Sequence, residues 1–83
     1  MLNVSVISPE KVLFEGEASA VVAPAFDGEV GILESHAPMM TLLGKGSLRL
    51  SGGGAEKTFN IEGGFLQVVD NKVRVVTEKA VTA

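Results

Sequence analysis

Residues 47–76 read SLRLSGGGAEKTFNIEGGFLQVVDNKVRVV, and their spacing decides the fold class. Side chains of a strand alternate sides, so Leu48 and Leu50 share one face and Arg49 takes the other. Gly52-Gly53-Gly54 then reads as a flexible turn. Lys57 to Ile61 resumes the pattern, with Phe59 and Ile61 on one face. Phe65 to Val69 and Val73 to Val76 flank Asp70-Asn71-Lys72, which reads as a hairpin tip. Gly63-Gly64 falls inside the strand pattern and marks a bulge or a close backbone approach.

The pattern continues toward the N-terminus. Val4 and Val6 alternate with Asn3 and Ser5, giving a strand with one wet face. Ser8-Pro9-Glu10-Lys11 is turn chemistry, Val12 to Glu15 is a short strand, and Gly16 lets it bend. A burst from Ala18 to Ala23 is stopped by Pro24, and Asp27-Gly28 is a hairpin dipeptide ahead of Val30 and Ile32. Met39 to Leu43, after Pro38, is the one candidate for a helical turn, closed at once by Gly44 and Gly46. If that segment is extended instead, one of Met39 and Met40 points in and the other out. The spacing predicts one all-β domain over residues 1–83, a flattened sandwich or barrel of two antiparallel sheets with about nine to ten strands. The expected core is Val4, Val6, Phe14, Val22, Ile32, Leu48, Leu50, Ile61, Leu66, Val73 and Val75.

Composition narrows the function classes. Hydrophobic residues at 46% with 20% charged residues describe a folded chain rather than a disordered one. No apolar run approaches the ~18 residues of a membrane span, and no secretory leader is expected. The absence of cysteine excludes disulfides, zinc–thiolate sites and cysteine nucleophiles. A formal charge of −3, with four Phe and no Trp or Tyr, argues against nucleic acid as a partner. A chain this short buries only about 60–65% of the surface it exposes when unfolded. Its positive mean hydropathy therefore points to an interaction subunit whose burial a partner completes.

Catalytic constellations are missing. His36 is the single histidine; neither Ser35 nor Ser47 lies in a G-x-S-x-G elbow, and adjacent Ser35 and His36 of a strand point apart. One histidine with scattered carboxylates makes no metal site. Gly44-Lys45-Gly46-Ser47 lacks the upstream glycine of a phosphate loop and reads as a turn. Glu15 and Glu17 read as a solvated strand edge whose charge blocks sheet-to-sheet aggregation. No catalytic, cofactor or metal-binding residue is assigned, and no cofactor is expected.

Two blocks carry a resemblance. Residues 27–43, DGEVGILESHAPMMTLL, followed by GKGSLRL at 44–50, resemble the signature of the epsilon subunit family of the bacterial rotary ATP synthase (delta in mitochondrial naming). Matching positions are Asp27, Gly28, Glu29, Val30, Gly31, Ile32, His36, Ala37, Pro38, Met39, Met40 and Thr41. Residues 61–76, IEGGFLQVVDNKVRVV, resemble the family's second block, and Val4 to Ser8 with Phe14 and Gly16 resemble its opening hairpin. This chain has Glu34-Ser35 where the family commonly has Pro and then Gly or Asn, and Gln67 where Glu is frequent.

The resemblance implies a non-catalytic rotor subunit. Its sandwich would pack on the gamma subunit, rest on the c-ring and couple proton flow to ATP synthesis. The place implied is the cytoplasmic face of the bacterial inner membrane, peripheral and held only through the complex. Ser8, His36 and Thr41 match gamma-facing positions, and Glu29 matches the acidic position facing the c-ring. For His36 the plainer expectation is a ring that fixes its own loop by bonding to backbone. The family's C-terminal helical hairpin, used for ATP binding and inhibition, has no counterpart in these 83 residues. The resemblance is thus to the short, sandwich-only forms. The rival readings are a biotinyl or lipoyl carrier domain, also a small β-sandwich, with Lys72 as the hairpin-tip lysine, or another small β interaction module.

Overall fold

Short alternating segments separated by turn residues leave each strand with one apolar side, and two such sheets must bury those sides against each other. A computed structural model describes residues 1–52 and 56–82 and shows this arrangement. The strands are β1 (Leu2–Ile7), β2 (Val12–Ala18), β3 (Ala20–Ala25), β4 (Gly28–Leu33), β5 (Met39–Leu42), β6 (Lys45–Ser51), β7 (Lys57–Glu62), β8 (Phe65–Val69), β9 (Lys72–Val76) and β10 (Lys79–Thr82). One sheet has the order β2-β1-β9-β8-β5 and the other β10-β7-β6-β3-β4. Every pairing is antiparallel except β1 with β9, which run parallel. A parallel pair needs a long crossover, and here residues 8–71 supply it by passing through both sheets. Of the proposed triple-glycine turn, Gly53 and Gly54 lie outside the described residues.

The core follows the alternation. Leu2, Val4, Val6, Ile32, Leu48, Leu50, Phe59, Ile61, Leu66, Val68, Val73 and Val75 are all buried between the sheets. Two members of the expected core differ. Val22 is half-buried, while Val21 and Ala23 face inward. An unbroken Val-Val-Ala run carries no alternation, so register alone decides, and Val21 pairs with Leu50 on one side and Ile32 on the other. Phe14 is half-buried because β2 is an edge strand with one neighbour only.

Two local expectations are corrected. Residues 39–42 form strand β5, not a helical turn; pairing with β8 supplies the backbone bonds that a single isolated turn would not. Met39 accordingly packs on the core while Met40 is exposed, as alternation requires. Pro24 lies inside β3 and does not end it, since the β3–β6 ladder stops at Val22 and leaves Pro24 facing an unladdered side.

The sheets are tied where the chain crosses between them. Gly63 and Gly64 take φ of 72° and 104°. A methyl on Gly64 would overlap the Val76 carbonyl oxygen and Thr77 Cα, so the close approach read from the sequence is real. Thr77, 1% exposed, completes the joint. Its N–H donates to the Ile7 carbonyl at 2.9 Å. Its hydroxyl lies 3.0 Å from the carbonyls of both Gly63 and Lys79. Nearby, the Gly44 N–H donates to the Pro24 carbonyl at 2.8 Å and the Leu43 N–H to the Gly64 carbonyl at 2.9 Å.

Candidate functional site: the outer faces and ends of the sandwich

Residues opposite one another in register share a face, so the pairings reveal what each sheet shows to solvent. Across the outside of the first sheet runs the row Leu42–Phe65–Val76–Ile7–Val12. This row is apolar on all five strands. Leu42 is 64% exposed and Val12 55%, and the three between them are half-buried. Phe26 stands beside the row at the tip of the β3–β4 hairpin, 68% exposed, with its N–H donating to the Leu42 carbonyl at 3.0 Å. The next row is Met40–Gln67–Arg74–Ser5–Glu15 and the last is Val69–Lys72–Asn3–Glu17. Basic side chains thus sit on the central strand β9 and acidic ones on the β2 edge, where charge discourages pairing with another sheet.

The outside of the second sheet is different. Arg49 and Thr58 are register partners there, as are Ser47 and Asn60, and Lys45 and Glu62. The Ser47 hydroxyl donates to Asn60 Oδ1 at 3.3 Å. Glu29, near the start of β4, accepts from Arg49 Nη2 at 3.2 Å, and both side chains are more than half exposed. An exposed pair of this kind contributes about 0–1 kcal/mol and is weakened by salt.

The four residues singled out in the sequence do not form one cluster. Ser8 follows β1 at the end of the sandwich that holds Ile7, Val76 and the Phe26 tip. His36 lies in the β4–β5 loop at the opposite end, beside the β8–β9 turn. Five residues of strand separate the two levels, about 16 Å along the sheet. Thr41 shares the inner side of β5 with the core, opposite Leu66, is half-buried, and donates its hydroxyl to the Leu42 carbonyl at 3.3 Å. The exposed positions of that strand are its neighbours Met40 and Leu42. Alternation over 39–42 carried that signal once the segment was taken as a strand. Glu29 lies at the Ser8 end but on the outside of the second sheet.

The His36 loop is built by local bonds. Ser35 takes φ of 63°, an unusual conformation for a residue with a Cβ. Its N–H donates to Asn71 Oδ1 at 2.6 Å. His36 Nδ1 lies 2.7 Å from the Ala37 carbonyl, which can only accept, so Nδ1 carries the hydrogen and Nε2 is left free. That is the loop-fixing role expected of a lone histidine. A shallow cavity of about 310 Å³ is lined by Ser35, His36, Ala37, Pro38, Asp70 and Asn71.

Among the described residues no group of three His, Asp or Glu is placed to hold a metal ion. Among the described residues no helix is long and apolar enough to cross a membrane. Lys72 is not at a hairpin tip: Asp70 and Asn71 make the turn, and Lys72 is in strand register with Asn3 and Val69. The carrier-domain reading loses its lysine.

Comparison with known proteins gives the same picture. Residues 1–83 match the family described as ATP synthase, Delta/Epsilon chain, beta-sandwich domain. The ATP synthase epsilon chain of Leptospira borgpetersenii is 48% identical over 77 residues, covering 93% of this chain and 61% of that protein. The ATP synthase epsilon chain of Caulobacter vibrioides is 40% identical over 82 residues, covering 99% of this chain and 95% of that protein. A chain in the Euglena gracilis mitochondrial ATP synthase structure, OSCP/F1/c-ring in rotational state 1, superposes with a TM-score of 0.88 at 26% identity. It covers 98% of this chain and 52% of that one. A chain of the Tetrahymena thermophila mitochondrial ATP synthase central stalk and c-ring gives 0.82 at 17% identity, a likeness of fold. The present chain thus spans about three fifths of the Leptospira relative and nearly all of the Caulobacter one.

Proposed function

The chain belongs to the ATP synthase delta/epsilon β-sandwich family, and from that premise we propose that it is a rotor component of the central stalk, joining the gamma subunit to the c-ring. It carries no chemistry of its own. It acts as a rigid piece that holds position while torque passes through it and so supports the coupling of proton flow to ATP synthesis. Its place is peripheral, at the cytoplasmic face of the bacterial inner membrane, held there by the complex.

One observation carries this reading: the unbroken apolar row across all five strands of the first sheet, with Phe26 beside it. A row of this kind is out of place on a solvated surface and suits a partner that covers it. Gamma lies along the β5 edge and the adjoining outer face. Met40 and Leu42 serve as apolar anchors, Thr41 stands within the edge, His36 bounds the contact at one end and Ser8 at the other. Glu29 faces the ring from the hairpin side of the second sheet, where an acid suits cationic loops.

Isolation of the tagged chain from its native membranes tests the proposal. Gamma and the c-ring are expected with it. Recovery of the chain without gamma would overturn the reading.

A further inference from the structure

Among the described residues the three non-glycine residues with positive φ are Ser35, Asp70 and Asn71, and all three line the cavity beside His36. Asp70 and Asn71, at φ 48° and 61°, make the two-residue loop between the paired residues Val69 and Lys72. That is the mirror-type hairpin turn, which suits Asp and Asn and needs nothing from the Asn71 side chain beyond tolerance of positive φ. The side chain nevertheless leaves its own turn. Its Oδ1 accepts the Ser35 N–H at 2.6 Å, 36 residues away, while the Asn71 backbone carbonyl accepts the Asn3 N–H at 2.8 Å. Asn71 therefore bridges β1, the β8–β9 turn and the loop that carries the chain from the second sheet to the first.

The bond matters because of what it holds. Ser35 occupies a left-handed conformation that its Cβ disfavours. Ser35 immediately precedes His36, so its φ and ψ set the direction in which the imidazole leaves the loop. The His36 N–H bond to the Leu33 carbonyl, 3.2 Å, is long by comparison. Glu34 is held separately by the Met1 ammonium at 2.6 Å, one residue further from the imidazole. We infer that Asn71 is a positioning residue: its amide oxygen locks Ser35 in the left-handed conformation and so fixes His36 for contact with the partner. The contact itself rests on the reading of His36 given under the proposed function; the positioning does not.

Two substitutions separate the side chain from the turn. Asn71→Gly keeps positive φ and gives the Asp-Gly turn, which is at least as good, but deletes the acceptor. Asn71→Asp keeps an acceptor oxygen in the same place. His36 is the single histidine of the chain, so its imidazole gives one set of nuclear magnetic resonance signals, readable on the isolated chain. Asn71→Gly is expected to shift or broaden those signals without loss of β-sheet circular dichroism, and Asn71→Asp to leave them nearly as they are. With purified gamma subunit, Asn71→Gly is expected to weaken binding about fivefold, the scale of one hydrogen bond, and Asn71→Asp to restore it. An unchanged imidazole spectrum in Asn71→Gly overturns the positioning role. If His36→Ala leaves gamma binding intact, the contact assigned to His36 fails, and the spectrum still decides the role of Asn71.

Discussion

The two outer faces of this sandwich come from strands of similar length and alternation, yet they present opposite surfaces. Outside the first sheet an apolar row runs from Leu42 through Phe65, Val76 and Ile7 to Val12. Outside the second, strands β6 and β7 hold Arg49, Thr58, Ser47, Asn60, Lys45 and Glu62, with Ser47 bonded to Asn60 and Arg49 to Glu29, and the exposed apolar residues Leu33 and Val81 stand apart on the edge strands β4 and β10. Both faces satisfy the core equally well, because only the inner sides of the strands pack there. The asymmetry therefore reflects no folding requirement, and it is the reason for proposing the first sheet as the side a partner covers.

The largest effect expected is one that destroys both faces together. Gly64 stands at the joint between the sheets with φ of 104°, and a methyl there would overlap the Val76 carbonyl. Gly64→Ala should destabilise the chain by at least about 3 kcal/mol, a large share of a small domain's stability. Urea unfolding reads this directly. A midpoint like that of the parent chain would mean that the sheets are joined less tightly than the structure describes.

The next prediction sets one face against the other. Leu42→Asp changes a residue 64% exposed, so stability should move by no more than about 0.5 kcal/mol. Binding to gamma should weaken by about 2–4 kcal/mol, as when an anchor is lost from the middle of an interface. The matched change, Val81→Asp, alters a residue 60% exposed on the outside of the second sheet and should leave binding unchanged. Calorimetric titration of both variants with gamma gives the contrast. Equal losses would erase the distinction between the faces.

The fold was legible because its alternation was. Leu48 and Leu50, Phe59 and Ile61, and Val73 and Val75 each announce a face, and all six are buried. Legibility failed where alternation stops. In Val21-Val22-Ala23 every residue is small and apolar, and only neighbouring strands select which sides turn in. Residues 39–43 are apolar apart from Thr41, too short a run to show a period, and so admit either a turn or a strand. The joint at Thr77 was invisible, because a threonine that closes a corner has no sequence pattern distinguishing it from one in solvent. The family block pointed to Thr41 and His36 and held Met40 among its matching positions without deciding which way it faces, but it assigned no contact to Leu42 or Phe26. Their exposure depends on pairings made between distant parts of the chain, and so does the bond from Asn71 to Ser35.

A smaller effect concerns the charge at the second sheet's edge. Glu29 is already engaged by Arg49, so under the proposed placement a cationic ring loop would meet a carboxylate that is partly neutralised. Glu29→Lys removes that attraction and sets a second cation beside Arg49. The expected loss is about 1 kcal/mol or less at low salt, because both groups are well exposed. The loss should shrink further as ionic strength rises. Proton pumping driven by ATP in vesicles holding the reconstituted complex measures it. A loss that does not diminish with salt would place Glu29 in a buried contact rather than the exposed one proposed.

The smallest effect is the sharpest control. The Ser47 hydroxyl reaches Asn60 Oδ1 at 3.3 Å on the outside of the second sheet, where water competes for both groups. Replacing either by alanine exchanges a weak bond for hydration, so Ser47→Ala and Asn60→Ala should each change stability by less than about 0.5 kcal/mol. If these polar rows stand clear of gamma, gamma binding should not change in either variant. A more than fivefold loss in either would show that the polar rows also meet a partner. The apolar row would then be one of two docking faces, and the sandwich would be gripped from both sides.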